Sequence, residues 1–211
     1  MNSHEKLYKI AFWLAVFTIV YNIVEGIIST YLGFEDESLT LFGFGSDSFI
    51  EVISGLGIAH MIIRIKKNPN SKRDNFERTA LRITGFAFYM LVLGLVITSV
   101  YNIWINHKPI TTFWGLVISV ISIIVMLGLV LWKRSVGRQL KSEPILADAN
   151  CTMVCIYMSV ILLVSSGLYE LFQISYIDSI GTLILSYFAF KEGKECFEKA
   201  NSDTYCSCQK H

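Results

Sequence analysis

Two pairs of potential metal ligands stand out in this sequence, each with its members four residues apart. Asp47 and Glu51 lie in one long apolar segment, and Cys151 and Cys155 lie in another. Positions four apart share one face of an α-helix, separated by roughly 6 Å along its axis. Two facing helices could therefore supply four ligands, and a set of carboxylates and thiolates suits Zn²⁺ or Cd²⁺ better than Mg²⁺.

Each pair also has a simpler explanation. Asp47 and Glu51 could lie near the outer membrane interface or cap the start of a helix, where solvation costs little. Free cysteine is a common small buried hydrophobe, so two helical cysteines alone are a weak indication of a metal site. An ionisable group inside a membrane costs roughly 2.5 to 3.5 kcal/mol on insertion scales. Two acids one turn apart therefore favour a shared function, and Glu51 is the stronger candidate because it lies deeper.

Three further polar residues could surround these ligands. Asp148 precedes the two cysteines by three and seven positions, so it shares their broad helical face. We expect it beside the ligands or at the entrance to the site, although it could instead cap the helix that follows Pro144. Asn22 and Glu25, in the first apolar segment, could line the same cavity. Hydrogen bonding between helices explains Asn22 equally well.

Two more sets of residues lie outside the central segments. Asp178 is expected at the start of the last helix. Near the end of the sequence, Cys206, Cys208 and His211 form a compact cluster that could bind an accessory metal ion. A Cys-x-Cys with one nearby histidine also occurs by chance, so this cluster could deliver metal to a main site at most.

The elements that position these residues are six long apolar segments. The sequence has 211 residues, 53% of them hydrophobic and 17% charged, with a mean hydropathy of +0.51. Such a composition is typical of an integral membrane protein. With about 20 apolar residues needed per span, the sequence predicts an all-α membrane protein, a six-transmembrane-helix bundle with spans at residues 8–32, 46–65, 80–105, 111–132, 146–172 and 176–190.

The charged residues of the connections predict the orientation and the domain boundaries. Basic residues cluster at the N-terminus, between helices two and three, between helices four and five, and after helix six. The opposite connections carry Glu35, Asp36 and Glu37, with Lys108 as their one basic residue. By the positive-inside rule both termini are cytoplasmic. We expect residues 1–200 to form the transmembrane domain and residues 201–211 a short, disordered cytoplasmic Cys/His tail, with no C-terminal cytoplasmic domain.

Local sequence features add three expectations. The five cysteines should be free thiols, because this topology is reducing and residues four apart on a helix are too distant for a disulfide. Gly43 and Gly45 permit either a close approach of two helix backbones or a bent start of helix two. Helix six should continue through residues 191–200 until Asn201, Ser202 and Asp203 break the pattern.

Two motifs resemble those of a known family. The stretches GSDSFIEV and ADANCTMVC resemble the paired metal-site signatures of the cation diffusion facilitators, and IDSIGTLILSYFAFKEG is similar to the last helix of that family. Carried over by position, the resemblance implies ligands at Asp47, at Glu51 where aspartate is usual, at Cys151 where histidine or aspartate is usual, and at Cys155 where aspartate is usual. Replacing oxygen and nitrogen by sulfur favours softer ions such as cadmium or mercury.

The resemblance covers nearly the whole sequence and implies a short branch of the family that consists of the transmembrane domain only. It implies a divalent metal cation transporter that exports zinc and related ions. Because ligands must be deprotonated to bind metal, metal and protons compete for one site, and we expect an antiporter for proton-coupled efflux of Zn²⁺ or Cd²⁺ across the plasma (inner) membrane. The expected partners are the metal ion, protons and the lipid bilayer, and any homodimer would form through membrane faces. We expect no enzymatic activity, cofactor or nucleic acid. The alternatives are a metal-binding membrane sensor or delivery partner without transport, and a membrane scaffold.

Overall fold

The computed structural model describes residues 3–68 and 74–202, and within them the chain forms six α-helices and no strand. The helices are α1 (Ser3–Glu35), α2 (Leu39–Lys67), α3 (Asn75–Ile105), α4 (Phe113–Leu140), α5 (Glu143–Phe172) and α6 (Tyr176–Asn201). Helices α1 to α5 are each long and apolar enough to cross a membrane. The predicted all-α bundle of six helices is confirmed.

The helices extend beyond the predicted apolar segments. Helix α2 begins at Leu39, where Ser38 accepts a hydrogen bond from the Leu41 amide as its N-cap, rather than at residue 46. Helix α6 continues to Asn201 and ends at its C-cap Ser202, which confirms the predicted extension. Apolar length therefore locates the spans, whereas polar caps decide where each helix begins and ends.

The glycines near the start of α2 lie inside a continuous helix, so the expected close approach of backbones is confirmed and a bent start is not found. A Cβ atom on Gly45 would lie 2.5 Å from the Thr30 amide nitrogen of α1. This distance is far below any tolerated contact. Gly45 therefore lets α1 and α2 pack backbone against backbone directly before Asp47.

The six helices pack as three close pairs, α1 with α2, α3 with α6 and α4 with α5, with α2 and α5 also in contact. Large apolar side chains cover the outer faces; Trp104, for example, is 82% exposed. Such surfaces suit a bundle surrounded by lipid. The inner faces bury two apolar clusters, one towards the end of α2 and one towards its start.

A buried carboxylate joins the starts of α2 and α6. Asp178 lies in the first turn of α6, as predicted, and is 3% exposed. It accepts hydrogen bonds from the Leu39 amide at 2.7 Å and from the Ser38 hydroxyl at 2.8 Å. Because Asp178 follows shortly after the end of α5, this link also places the start of α2 near the end of α5. Helices α2 and α5 therefore run in opposite directions.

Candidate metal centre

Glu51 and Cys155 are in direct contact at the middle of the bundle. The Cys155 thiol donates to Glu51 Oε1 at 2.8 Å, and Asn22 Nδ2 donates to Glu51 Oε2, also at 2.8 Å. Three helices, α1, α2 and α5, thus meet at one carboxylate. Cys155 and Asn22 are buried, so these bonds form away from bulk solvent.

Asp47 lies one turn nearer the start of α2 and is buried, 3% exposed. Its Oδ1 atom accepts no hydrogen bond from the described residues. Glu51 lies one turn further along the same helix. Glu25 accepts bonds from Tyr21 at 2.8 Å and from Ser48 at 3.1 Å. Three carboxyl groups therefore share one buried region, an arrangement that a divalent cation would stabilise.

Cys151 lies one turn nearer the start of α5 and turns towards α6. Lys199 Nζ donates to its sulfur at 3.3 Å. Of the four predicted ligands, the structure thus brings Glu51 and Cys155 together and places Asp47 and Cys151 on opposite sides of them. No three of the four ligand atoms lie within 4.8 Å of one another. A single four-ligand site would need side-chain rotation at Asp47 and Cys151.

A cavity of about 120 Å³ leads to the Glu51–Cys155 contact. Its deep end is formed by Asn22, Glu51 and Cys155, and it passes Cys151. The remaining polar groups on its wall are Thr18, Ser54, Glu77, Thr84, Lys133, Asp148, Thr152, Glu192, Cys196 and Lys199. These residues belong to the half of the bundle that contains the end of α2 and the starts of α3 and α5, so the cavity extends to that end.

The opposite half of the bundle is closed by packed apolar side chains. Leu41, Phe44, Met158, Leu162 and Leu185 are all at most 2% exposed and belong to one cluster. Interiors packed in this way leave few voids larger than a water molecule. The cavity is therefore a deep recess that reaches Glu51, Cys151 and Cys155 from one side.

Asp148 lines the wall of this cavity and does not cap a helix. Helix α5 begins at Glu143 with Ser142 as its N-cap, so Asp148 already lies in the second turn and the capping alternative is wrong. Its carboxylate pairs with Lys133 at 3.0 Å, and Lys133 also donates to Thr152 at 3.0 Å. This buried ion pair links α4 to α5 between the ligands and the cavity mouth.

The comparisons with known proteins agree with this architecture. A model of the cation efflux transmembrane domain matches residues 9–203, nearly the whole sequence. The chain belongs to the cation efflux family. It is therefore a multi-pass membrane protein of a family of metal cation transporters, and the resemblance inferred from the two motifs is confirmed. A comparison with curated proteins gave no significant match.

Several polar groups of this cation efflux domain were missed from the sequence. Glu192 and Lys199 line the cavity from α6, and Lys133 lines it from α4. A signal was present: Asp178, Thr182, Leu185 and Ala189 form a buried stripe whose helical period continues to Glu192 and Lys199. The charges after residue 190 were assigned to a cytoplasmic continuation of helix six, although the helical period keeps one face of this continuation against the bundle.

A second group of potential ligands lies where α2 ends and α3 begins. Single ligand atoms of His60, Asp74 and Glu77 lie within 4.8 Å of one another. His60 Nε2 is 2.7 Å from Asp74 Oδ2, and Arg64 binds Glu77 through two bonds of 2.7 and 2.9 Å. The guanidinium already neutralises Glu77 and opposes a bound cation. We therefore interpret this group as a link between the two helices.

Asp74 also caps α3. Desolvation raises the pKa of its carboxyl, but hydrogen bonds from the Glu77 amide and from His60, together with the charges of His60 and Arg64, outweigh this and lower the pKa below its usual range. The lowered pKa keeps the carboxylate charged, as an N-cap requires. Glu77 was not singled out in the sequence, because its role depends on a partner thirteen residues away.

The described cysteines are free, as expected, and these are Cys151, Cys155 and Cys196. The predicted accessory cluster of Cys206, Cys208 and His211 lies outside the described residues.

Proposed function

We propose that this cation efflux protein exports Zn²⁺, or the softer Cd²⁺, from the cytoplasm in exchange for protons. The ion would bind at Asp47, Glu51, Cys151 and Cys155, with Asn22, Glu25 and Asp148 around it. The observation that carries the proposal is the Glu51–Cys155 contact at the closed end of the cavity. A carboxylate and a sulfur within 2.8 Å at the end of a recess form the beginning of a soft-cation site.

The contact between Glu51 and Cys155 also suggests how protons take part in the transport cycle. The ion-free protein holds the Cys155 thiol proton between two proposed ligand atoms, Cys155 Sγ and Glu51 Oε1. A metal ion binds the deprotonated forms of these ligands, so ion and protons compete for the same place. A proton gradient can therefore drive the ion out when the site is exposed alternately to the two sides of the membrane.

The charge pattern supports an orientation in which the cavity faces the cytoplasm. The cavity extends to the end of the bundle where α2 ends with Arg64, Lys66 and Lys67. Basic ends of this kind face the cytoplasm. We therefore take the structure as the inward-facing state of the transporter, with residues 1–200 as the transport domain, 201–211 as a cytoplasmic tail, and the plasma (inner) membrane as its location. Any homodimer would use the lipid-facing surfaces.

The test is flux of Cd²⁺ and Zn²⁺ into proteoliposomes under an imposed proton gradient. Asp47→Ala and Cys155→Ala should each lower the initial rate roughly 10- to 100-fold or more, since even partners outside the ligand set cost that much in affinity. Cys196→Ala is the matched control: Cys196 is also a buried thiol on the cavity wall, and its loss should leave the rate within about twofold.

The outcomes separate the candidate functions. Gradient-driven flux that depends on Asp47 and Cys155 supports proton-coupled transport through this site. Metal binding by the wild type without flux would contradict transport and favour a sensor or delivery partner. Flux that is indifferent to both substitutions would refute the assigned ligands.

A further inference from the structure

A buried lysine reaches one of the proposed ligands. Lys199 lies in the last turn of α6 and is 7% exposed. Its Nζ donates to Cys151 Sγ at 3.3 Å and pairs with Glu195 Oε2 at 3.2 Å. A buried ammonium is costly unless charged or polar groups surround it. The protein thus keeps a positive charge on the wall of a cavity proposed to receive cations.

This lysine differs from the other buried lysine of the cavity. Lys133 is held by Asp148 and Thr152, and neither of them is a proposed ligand. Lys199 instead contacts the sulfur of Cys151 directly. A divalent ion coordinated by that sulfur would lie a few ångströms from the Lys199 ammonium, where repulsion between the two charges is strong.

We propose that Lys199 is a tethered counter-cation of the transport site, whose ammonium occupies the Cys151 side in the ion-free protein and is displaced when the metal ion binds. This inference rests on the proposed function, because it takes Cys151 as a ligand. Glu195 can hold the displaced ammonium nearer to solvent, because 24% of the Glu195 side chain is exposed, compared with 9% of the Lys199 side chain. The contact with Cys151 breaks and the pair with Glu195 remains.

The arrangement would limit how tightly the ion is held. The cost of displacing Lys199 is subtracted from the binding free energy of the metal, so affinity falls. When the ion leaves, the ammonium returns to Cys151 and again stabilises the empty site. Lys199 would then act as a positioning residue that favours release of the ion, which a transporter needs as much as binding.

The first measurement is Cd²⁺ affinity of the protein in nanodiscs, followed by the ultraviolet charge-transfer band of cadmium–thiolate bonds. Lys199→Met should bind Cd²⁺ roughly tenfold more tightly or better, because a like charge near the ion is removed. Lys199→Arg retains the charge and should stay within about threefold of the wild type. The matched control is Lys194→Met, since Lys194 is exposed on the same helix and pairs with Glu198.

Two results complete the test of the contact. In a Cys151→Ser background, Lys199→Met should no longer strengthen Cd²⁺ binding, because the two changes act on one interaction. In proteoliposomes, Lys199→Met should lower the maximal rate of Cd²⁺ flux several-fold while the half-saturating concentration also falls. A change in protein stability alone would not raise the affinity for Cd²⁺ and lower the maximal rate of Cd²⁺ flux at the same time.

If Lys199→Met fails to fold, a measurement on the wild type tests the inference. Labelling with a water-soluble amine reagent, read by mass spectrometry, should increase at Lys199 when Cd²⁺ is added and remain constant at Lys194. Unchanged labelling at Lys199, or unchanged or weaker Cd²⁺ binding by folded Lys199→Met, overturns the inference. A wild type that binds no Cd²⁺, or binds it independently of Cys155, contradicts the proposed function instead.

Discussion

The amide of Asn22 controls the orientation of the Glu51 carboxylate, and its replacement by leucine gives a sharp test of the site. Asn22 is 1% exposed and donates from Nδ2 to Glu51 Oε2 at 2.8 Å across the α1–α2 contact. Asn22→Leu keeps a side chain of similar volume but removes the donor. The carboxylate oxygen then lacks a partner in a buried place, and its orientation towards Cys155 is no longer fixed.

The expected loss follows from the energy of that bond. Hydrogen bonds to charged groups contribute about 1.5 to 3 kcal/mol. With about 1.4 kcal/mol for each factor of ten, the loss corresponds to roughly a 10- to 100-fold weaker affinity for Cd²⁺ or Zn²⁺. Loss of an outer partner of a metal ligand has the same typical magnitude.

The assay is equilibrium Cd²⁺ binding by the protein in nanodiscs, with Thr18→Val as the matched control. Thr18 lies one turn before Asn22 on the wall of the same cavity, but its hydroxyl bonds the Leu14 carbonyl of its own helix at 2.8 Å. Thr18→Val should therefore leave the dissociation constant within about twofold. Circular dichroism and the thermal midpoint establish that both variants fold.

Two results would refute this reasoning. Folded Asn22→Leu with the dissociation constant of the wild type would show that the bond to Glu51 serves only the packing of α1 against α2. An equal loss in Thr18→Val would show that the cavity wall as a whole, rather than the Asn22 donor, determines affinity.

Two further predictions concern the helix contacts that position the site. Asp178→Ala removes the acceptor of the Leu39 amide and the link between α2 and α6, so a thermal melt in detergent should show a loss of about 2 to 4 kcal/mol; an unchanged midpoint would contradict the capping role. Gly45→Val should force α1 and α2 apart, because its Cβ atom would lie 2.5 Å from the Thr30 amide nitrogen. Its midpoint should fall by more than that of Gly94→Val, whose Cβ atom meets nothing within 4 Å, and equal midpoints would refute the close-packing argument.

The number of helices, and the position of each proposed ligand pair on one face of a helix, could be predicted because both depend on local periodicity. About 20 consecutive apolar residues identify a span without knowledge of its neighbours. A spacing of four residues likewise places Asp47 with Glu51 on one face of α2, and Cys151 with Cys155 on one face of α5. The ends of the helices depend instead on capping contacts such as those of Ser38 with Leu41 and Asp178.

The spacing does not determine how far two facing helices slide along each other. Helices α2 and α5 run in opposite directions, so one register opposes Asp47 to Cys155 and Glu51 to Cys151. In the structure the side chain of Glu51 contacts Cys155, and no three of the four predicted ligand atoms lie within 4.8 Å of one another. Which side chains meet depends on packing across the whole helix pair.

The burial of charged residues on the cavity wall could not be predicted from the sequence, because it also depends on how the helices pack. Lys133 and Lys199 were counted among the basic residues of the cytoplasmic connections, yet both are buried. Lys133 pairs with Asp148 of α5, and Lys199 pairs with Glu195 of its own helix and contacts Cys151 of α5. A lysine near a helix end is usually solvated. Only the position of neighbouring helices shows which of these side chains turn inwards.

The apolar layer beyond Glu51 has a kinetic consequence. Since Leu41, Phe44, Met158 and Leu162 block the direct way onward, no ion can diffuse through the protein in a single continuous movement. Every ion transferred requires one rearrangement of the helices, which takes microseconds to milliseconds or longer. Unidirectional flux should therefore reach a plateau as concentration rises. Unlabelled ion on the far side should accelerate the exchange of a radioactive tracer, because a carrier loaded with the ion can return without the proton binding that the proposed exchange requires.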